Sequence, residues 1–289
     1  MTVAKSLRLE LPKLLVQQAV KATLAEDLGL AGDITTDPII AADAQGEAAI
    51  VAREPGVIAG LDLAEAAFKT LDPQAEFTRA VKDGGKIETG DIIAKVRGRT
   101  RALLTGERTA LNFLCHLSGI ATLTAAYVAK VAGTEARIAC TRKTTPGLRA
   151  FEKFAVRCGG GVNHRFGLYD AVLVKDNHIA AAGGIEAALR LLRARSGHLV
   201  KIEVEVDTLT QLEEALRFDV DAVLLDNMDT DTLKKAVALA KGRVLTEASG
   251  GVSLETVAEV AATGVDLISI GALTHSPRSL DSSLDWSVR

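Results

Sequence analysis

Charged side chains and glycines recur in this sequence directly after short apolar runs that have the composition of buried strands. The residues concerned are Thr141, Arg142, Lys143, Lys175, Glu205, Asp226, Ser249, Gly250, Gly251, Ser269, Ile270 and Gly271. Because the carboxyl ends of parallel strands lie on one face of an α/β fold, we expect these residues to converge although they are far apart along the chain. Cations, carboxylates and glycine-bearing turns on one face would form a site for a small polyanion.

Each residue type in this set suits a different chemical group. Arg142 offers a planar fork that suits a carboxylate, whereas Lys143 and Lys175 are point charges that suit phosphate or pyrophosphate oxygens. Glu205 and Asp226, acidic among cations, are best explained by contacts to hydroxyl groups or to hydrated Mg²⁺. Taken singly, each residue is typical of a solvated loop, a helix cap or a turn. In combination they predict a ligand with carboxylates, phosphates and hydroxyls, accompanied by Mg²⁺.

A glycine-rich segment between the first two of these runs adds further candidates. Gly159–Gly161 is typical either of an anion-binding loop or of a plain linker. His164 and Arg165 follow it as potential donors, and His164 could either transfer protons or only bind. We also expect His178, which comes shortly after Lys175, at or near the same rim.

The elements that must position these residues alternate between strand and helix from residue 136 onward. The predicted strands are 136–140, 171–174, 201–206, 222–225, 243–247 and 266–270, and the predicted helices are 185–195, 209–217, 231–240 and 254–263. Thr208 and Gln211 have the spacing of a capping box at the start of one helix. These repeated units indicate a parallel sheet, either open or closed into a barrel.

The first hundred residues follow a different pattern. We predict a helix over 12–28, strands over 48–52, 76–81 and 91–96, and a helix over 61–71, which together favour an α+β domain with a mainly antiparallel sheet. The segment 82–98 has the turns of a biotinyl or lipoyl carrier hairpin. Lys86 lacks the carrier motif, so the turn chemistry favours a structural hairpin.

Composition limits the classes of function. The chain has 289 residues, 48% hydrophobic and 25% charged, with a formal charge of −3 and 3% aromatic residues. These values are typical of a globular protein and offer no basic or stacking surface for nucleic acid or anionic lipid. Three cysteines without zinc spacing indicate a reducing compartment, and we expect a cytoplasmic protein.

Two segments bear on membranes. Residues 1–15 lack the apolar core of a signal peptide. Residues 109–129 carry no Asp, Glu, Lys or Arg, but they include polar side chains, and the Ser118-Gly119 pair predicts a break between two buried helices. We therefore expect no membrane span.

Longer motifs around the candidate residues resemble the quinolinate phosphoribosyltransferase family, the decarboxylating nicotinate-nucleotide pyrophosphorylases of NAD biosynthesis. The motifs are 106–122, 141–165, 170–179, 203–207, 224–228, 248–251 and 271–276, in the family's order and over essentially the whole chain. The resemblance implies an α/β fold with an N-terminal α/β sandwich domain over residues 1–118, joined by the C-terminal tail 275–289. Residues 119–274 would form an incomplete, TIM-like α/β barrel with parallel strands.

The resemblance also implies roles for individual residues. Arg142, His164 and Arg165 would face the quinolinate carboxylates, and Lys143 and Lys175 would lie between quinolinate and pyrophosphate. Glu205 and Asp226 would contact ribose hydroxyls and Mg²⁺, directly or through water. The turns Ser249–Gly251 and Ser269–Gly271 would bind the 5-phosphate, with Thr141 also in the substrate site. The implied catalytic residues are Lys143, Lys175, Glu205 and Asp226.

The implied activity joins quinolinate to 5-phosphoribosyl 1-pyrophosphate and releases pyrophosphate and carbon dioxide, giving nicotinate mononucleotide. The implied assembly is a homodimer, or a larger assembly such as a hexamer, in which Arg108 reaches the neighbouring subunit's site. A sister phosphoribosyltransferase of the molybdenum-locus type, acting on another acid, is the alternative. A non-catalytic carrier module, suggested by segment 82–98 alone, is a third hypothesis.

Overall fold

The computed structural model describes residues 10–286. Residues 1–9 and 287–289, which belong to the predicted N-terminal domain and tail, lie outside the described residues, as does most of the segment considered for a signal peptide.

The described part of the chain contains eleven helices and twelve strands. The helices are α1 (Lys13–Leu28), α2 (Thr36–Ile39), α3 (Leu61–Leu71), α4 (Thr100–Lys130), α5 (Arg149–Cys158), α6 (Asp176–Ala182), α7 (Ile185–Arg193), α8 (Leu209–Ala215), α9 (Thr230–Ala240), α10 (Val257–Ala261) and α11 (Ala272–His275). The strands are β1 (Gln45–Ala52), β2 (Gly56–Val57), β3 (Glu76–Arg79), β4 (Lys86–Ile87), β5 (Ile92–Arg99), β6 (Arg137–Ala139), β7 (Val172–Val174), β8 (Ile202–Val206), β9 (Ala222–Asp226), β10 (Leu245–Ser249), β11 (Leu267–Ser269) and β12 (Ser282–Trp286).

The chain divides into two compact units. Among the described residues, the first comprises 10–123, 150–160 and 276–286, and the second comprises 124–149 and 161–275. The predicted boundary at residue 118 lies inside α4. Residues 150–160, which the prediction placed in the barrel, group with the first unit because α5 packs on α4 there: Phe151 meets Phe113 edge to face, and Glu152 lies 2.9 Å from Nε2 of His116.

The first unit contains a four-stranded antiparallel sheet in the order β12-β1-β5-β3. The tail strand β12 pairs with β1, with Leu284 opposite Ile50. Ile50, Leu63, Phe68 and Ile93 form part of a fully buried core between this sheet and α3. The antiparallel sheet predicted for this part of the chain is confirmed.

The predicted hairpin over segment 82–98 is wrong. Strand β4 pairs with β2, with Lys86 opposite Val57, whereas β5 pairs with β1 and β3. A turn from Glu88 to Asp91, closed by hydrogen bonds in both directions, directs the chain from one sheet to the other. Turn chemistry specifies that the chain reverses, but not which strand it meets next.

The predicted helix break at Ser118-Gly119 is also wrong, because α4 runs through both residues. The Ser118 hydroxyl accepts a hydrogen bond from the backbone N–H of Ala59 at 3.0 Å. A Cβ atom on Gly119 would lie 2.1 Å from the carbonyl oxygen of Arg278, so the glycine allows the tail to cross the helix closely. Both residues serve packing within the first unit.

Helix α4 is long and apolar enough to cross a membrane. Leu103, Leu114 and Ile120 on this helix are nevertheless fully buried within the protein. Its apolar length is therefore that of a core helix.

The second unit contains a six-stranded parallel sheet in the order β6-β11-β10-β9-β8-β7. Strands β6 and β7 form its two edges and do not pair with each other in the described part of the chain, so the barrel is incomplete. Val204, Val223 and Leu225 are fully buried in the central strands, as expected of parallel strands covered on both faces. Each predicted strand of this region is confirmed to within a few residues, as is the capping box of Thr208 and Gln211.

Candidate active site

The carboxyl ends of the parallel strands surround a cavity of about 820 Å³ in the second unit. Its lining includes Thr141, Arg142, Lys143, His164, Arg165, Lys175, Glu205, Asp226, Ser249, Gly250, Gly251, Ser269, Ile270 and Gly271. The structure thus brings together every predicted site residue except Arg108. Arg108 lies exposed on α4 in the first unit, outside this lining.

His178 does not line the cavity either. Its Nδ1 accepts a hydrogen bond of 2.9 Å from the backbone N–H of Lys175, so its ring caps the first turn of α6. His178 is therefore a helix cap next to the cavity residue Lys175, and it is not part of the cavity lining.

Two arginines that line the cavity have unused hydrogen-bond donors. The Nε atoms of Arg142 and Arg165 are buried, and neither has a hydrogen-bond partner in the described part of the chain. Burial lowers the pKa of Arg165, and the charge of Arg142 lowers it further. An anion between the two guanidiniums would supply acceptors and relieve this repulsion.

The main chain around Lys143 is held by hydrogen bonds, while its side chain is exposed. The backbone N–H of Lys143 donates to the Thr141 hydroxyl at 3.0 Å, and its carbonyl accepts from the Thr274 hydroxyl at 2.7 Å. A Cβ atom on Gly271 would lie 3.0 Å from Cδ of Lys143 and 3.2 Å from the ring of His275. The close approach of Gly271 therefore confines the aliphatic part of this lysine.

His164 is hydrogen-bonded through both ring nitrogens. Nδ1 accepts from the backbone N–H of Arg165 at 2.7 Å, which leaves Nε2 as the protonated nitrogen. Nε2 lies 2.9 Å from Glu203 and 3.7 Å from Glu247. Potential ligand atoms of these three residues lie within 4.8 Å of one another, so the group could hold a metal ion if the metal displaced that proton.

Two carboxylates, Glu205 and Asp226, also line the cavity. Glu205, on β8, pairs with Nζ of Lys175 at 2.7 Å. Burial raises the pKa of Asp226, and the like charges of Glu205 and Asp207 raise it further, although Lys175 and the Asn227 amide partly offset this. Uncompensated negative charge near Asp226 suits ribose hydroxyls or a divalent cation.

Two turns that contain glycine complete the cavity. Gly250 and Gly251 follow β10 with φ values of +97° and +61°, a conformation that residues other than glycine rarely adopt. Ser269 and Gly271 lie at the junction of β11 and α11. Turns of this kind can surround a phosphate with backbone N–H groups.

Family models match nearly the whole chain. The C-terminal domain of quinolinate phosphoribosyl transferase matches residues 120–285, and its N-terminal domain matches residues 33–118. The chain belongs to the quinolinate phosphoribosyltransferase family. The division between the two matched domains falls inside α4.

Members of the quinolinate phosphoribosyltransferase family from diverse organisms are similar over most of their length. The nicotinate-nucleotide pyrophosphorylase (carboxylating) of Mycobacterium leprae is 47% identical over 275 residues, covering 93% of this chain and 96% of that one. A probable enzyme of the same description from Bacillus subtilis is 46% identical over 260 residues, covering 90% and 89%.

Solved structures of proteins in this family are similar to this chain in fold. The crystal structure of NadC from Streptococcus pyogenes has a TM-score of 0.92 at 41% identity and covers 96% of this chain and 99% of that one. The nicotinate-nucleotide pyrophosphorylase from Francisella tularensis has a TM-score of 0.89 at 38% identity and covers 96% and 98%.

Several residues lining the cavity of this quinolinate phosphoribosyltransferase family member were not predicted as site residues. They are Leu173, Leu224, Asn227, Glu247, Val252, Ala272 and His275. Asn227 and His275 lie within motifs already recognised, so their position beside predicted residues was an available signal. Glu247 lies inside strand β10, and nothing in the sequence distinguishes it from the other residues of that strand. Only the fold shows that it faces His164.

Proposed function

We propose that this chain transfers the phosphoribosyl group of 5-phosphoribosyl 1-pyrophosphate to quinolinate with decarboxylation. The products are nicotinate mononucleotide, pyrophosphate and carbon dioxide, which places the reaction in de novo NAD biosynthesis. The observation that carries the proposal is the pair Arg142 and Arg165, two guanidiniums of one cavity whose charges repel and whose buried Nε donors find no partner among the described residues. A dicarboxylate such as quinolinate supplies the missing acceptors.

The remaining lining residues suit the activated sugar. Lys143 and Lys175 are exposed cations that suit the pyrophosphate. Glu205 and Asp226 accept hydrogen bonds from ribose hydroxyls, and the turns at Gly250 and Gly271 bind the 5-phosphate. This assignment is supported by the lining of one cavity that contains all of these groups.

The transfer step requires charge stabilisation more than covalent chemistry. The quinolinate nitrogen attacks carbon 1 of the sugar as the bond from carbon 1 to the pyrophosphate oxygen breaks. The carboxylates of Glu205 and Asp226 stabilise the positive charge that develops on the sugar, while Lys143 and Lys175 stabilise the negative charge on the departing oxygen. No covalent enzyme intermediate is needed.

Decarboxylation follows on the nucleotide. The bond between carbon 2 and its carboxylate breaks, and the electron pair remains on carbon 2 beside the positively charged ring nitrogen. Carbon 2 then takes up a proton through this electron pair. Because both nitrogens of His164 are engaged within the protein, this histidine orients the Arg165 backbone and does not supply the proton.

We further propose that Mg²⁺ is bound with the activated sugar. The raised pKa of Asp226 beside Glu205 and Asp207 supports this, since a cation there offsets like charges. The chemistry that Mg²⁺ would supply there is neutralisation of part of the charge of the pyrophosphate leaving group. Glu205 and Asp226 would hold it, directly or through water.

The assembly and the location also belong to the proposal. We propose a homodimer in which the exposed Arg108 completes the neighbouring site. A cytoplasmic location is supported by Cys115, Cys140 and Cys158, none of which forms a disulfide bond in the described part of the chain, as is typical of a reducing compartment. One similar enzyme from Nicotiana tabacum is described as mitochondrial.

The deciding experiment supplies purified protein with quinolinate labelled at the 2-carboxyl group, the activated sugar and Mg²⁺. Labelled carbon dioxide and nicotinate mononucleotide should appear in equal amounts. Nicotinate, which lacks the 2-carboxylate, serves as the control substrate and should be a poor one. Folded protein that forms no product, or that uses nicotinate or another acid better than quinolinate, would contradict the proposal.

A sharper test addresses the arginine pair. Arg142→Lys keeps the charge but loses the planar fork, so we expect the KM for quinolinate to rise about tenfold or more. The KM for the activated sugar should change little, because its phosphates contact other residues. An equal rise in both KM values would show that Arg142 acts on the site as a whole and not on a carboxylate.

A further inference from the structure

Asn227 has an unusual backbone conformation at the edge of the cavity. Its φ is +53°, a value otherwise found only at glycines among the described residues. Asparagine tolerates this left-handed region better than other L residues, but the conformation still costs free energy. Residues held in such conformations are concentrated at functional sites, which directs attention to what Asn227 touches.

The side chain of Asn227 holds the carboxylate that precedes it. Its Nδ2 donates a hydrogen bond of 2.6 Å to Oδ2 of Asp226. Asp226 is half-buried among like charges. Repulsion from Glu205 therefore makes it unfavourable to hold the Asp226 carboxylate in one position. The amide donor offsets this cost at one oxygen and leaves the other oxygen for a ligand.

The same residue also contacts the glycine turn on the neighbouring strand. The backbone N–H of Asn227 donates to the carbonyl of Ser249 at 2.9 Å. A Cβ atom on Gly250 would lie 2.0 Å from Oδ1 and 2.6 Å from Cγ of Asn227. The carboxamide therefore occupies the space in which any side chain at position 250 would begin.

We infer that Asn227 is a positioning residue, which holds the Asp226 carboxylate and the Gly250 turn at a fixed separation. The inference rests on the proposed function, in which Asp226 binds the ribose and Gly250 the 5-phosphate of one substrate. Two groups of a single ligand bind together with full affinity only if their partners are spaced correctly. Asn227 sets this spacing because it touches both partners.

The first test is Asn227→Gly. Glycine adopts the local φ without strain, so the Tm should stay within about 2 °C of the wild-type value. The KM for the activated sugar should rise about tenfold or more and kcat should fall, because a hydrogen bond to a charged group is lost. Isothermal titration should show weaker binding of the activated sugar in the presence of Mg²⁺, with quinolinate binding unchanged.

Asn227→Asp tests the amide hydrogen-bond donor separately from the volume of the side chain. This variant keeps the bulk against Gly250 but loses the N–H donor and adds a second carboxylate beside Asp226. We expect it to bind the activated sugar more weakly than Asn227→Gly does. Equal or better binding would mean that the amide donor does not position Asp226.

Asp229→Ala is the matched control on the same loop. The Asp229 carboxylate accepts from the backbone N–H of Thr232 at 2.7 Å and caps α9, and it does not line the cavity. Loss of this cap should lower the Tm by about 2–4 °C and leave both KM values unchanged. Asn227→Gly should thus keep its Tm and lose affinity for the activated sugar, whereas Asp229→Ala should lose Tm and keep that affinity.

The outcomes separate this inference from the proposed function. If Asn227→Gly lowers the Tm but leaves the KM and the affinity for the activated sugar unchanged, Asn227 is structural and the inference is overturned. If wild-type protein binds the activated sugar but forms no product, the proposed function fails. The binding titrations of the variants still decide the positioning role in that case.

Discussion

At the scale of single residues, the cavity contains cations that the fold holds by their main chains while their side chains stay exposed. Lys143 is the clearest example, with backbone hydrogen bonds to Thr141 and Thr274 and a solvent-exposed side chain. Such a side chain adds little to folding, since no core packing depends on it. Its effect should therefore appear in catalysis alone.

Lys143→Ala should lower kcat/KM by about 100-fold or more, because charge stabilisation of the departing pyrophosphate is lost. The Tm should change by no more than about 1 °C. Steady-state kinetics and thermal unfolding measure the two effects. Lys234→Ala, which removes an exposed lysine near Asp231 on α9, is the control and should leave kinetics unchanged. Undiminished turnover of Lys143→Ala would remove Lys143 from the site.

Asp226→Asn should raise the Tm at pH 7 in metal-free buffer while it lowers activity. The pKa of Asp226 is raised in the folded state, so the charged form destabilises the fold at neutral pH. This penalty disappears as the pH falls through the folded-state pKa and the carboxyl takes up a proton. The gain in Tm over wild type should therefore shrink between pH 7 and pH 4.

Asp229→Asn is the control of opposite sign. The backbone N–H of Thr232 lowers the pKa of Asp229, so its charged form stabilises the fold above the unfolded-state pKa. This variant should have a lower Tm than wild type at pH 7, and the difference should vanish in acid. A lower Tm for Asp226→Asn at pH 7 would contradict the charge argument.

At the scale of elements, glycines in this chain mark close approaches as well as helix ends. Gly119 lies in the middle of α4, where the carbonyl of Arg278 takes the place of a side chain. Glycine in a helix interior costs about 1 kcal/mol relative to alanine. Its presence there indicates that the tail contact outweighs the helix propensity.

Gly119→Ala should accordingly lower the Tm, although alanine is the better helix former. A methyl group 2.1 Å from the Arg278 carbonyl must displace the tail backbone. Thermal unfolding measures the loss, and limited trypsin digestion should cut after Arg278 faster than in the wild type. Ala126→Gly, at an exposed position of the same helix, is the control and should show only the propensity cost. A higher Tm for Gly119→Ala would contradict the crowding argument.

Local sequence patterns predicted most of the helices and strands but not every pairing between strands. The strands of the second unit were predictable because buried parallel strands are continuous apolar runs. Helix α5 was not predicted, although its sequence is amphipathic, and the complete burial of its Glu152 and Lys153 has no signal in the sequence. The pairing of β4 with β2 was missed because register between distant segments leaves no local mark.

At the scale of the whole molecule, the formal charge of −3 conceals an uneven distribution. Arg142, Lys143, Arg165 and Lys175 line one cavity together with Glu205, Asp226 and Glu247, so a chain with no net preference for anions still concentrates cations and carboxylates at one site. Arg108 is the one predicted site residue outside that cavity. In the proposed homodimer it reaches the site of the neighbouring subunit.

Mixing two inactive variants tests this arrangement. Arg108→Ala and Lys143→Ala subunits, unfolded together and refolded at equal ratio, should recover about a quarter of wild-type activity, because half of the dimers are hybrids and each hybrid has one intact site. Light scattering should show a dimer or a multiple of it, and each variant refolded alone is the control. Mixtures that stay inactive would show that each site is built from a single chain.

The sequence by itself determined most of the charged and glycine residues that reach the cavity, since the chemistry follows the ends of parallel strands and all such ends share one face. The tertiary structure alone decided which partners those residues have. The contacts of His164 with Glu203 and Glu247, of Asn227 with Gly250, and of Gly119 with the tail join positions far apart in the chain. Strand composition is a local property that the sequence displays directly, whereas these contacts depend on register and packing between segments that only the completed fold brings together.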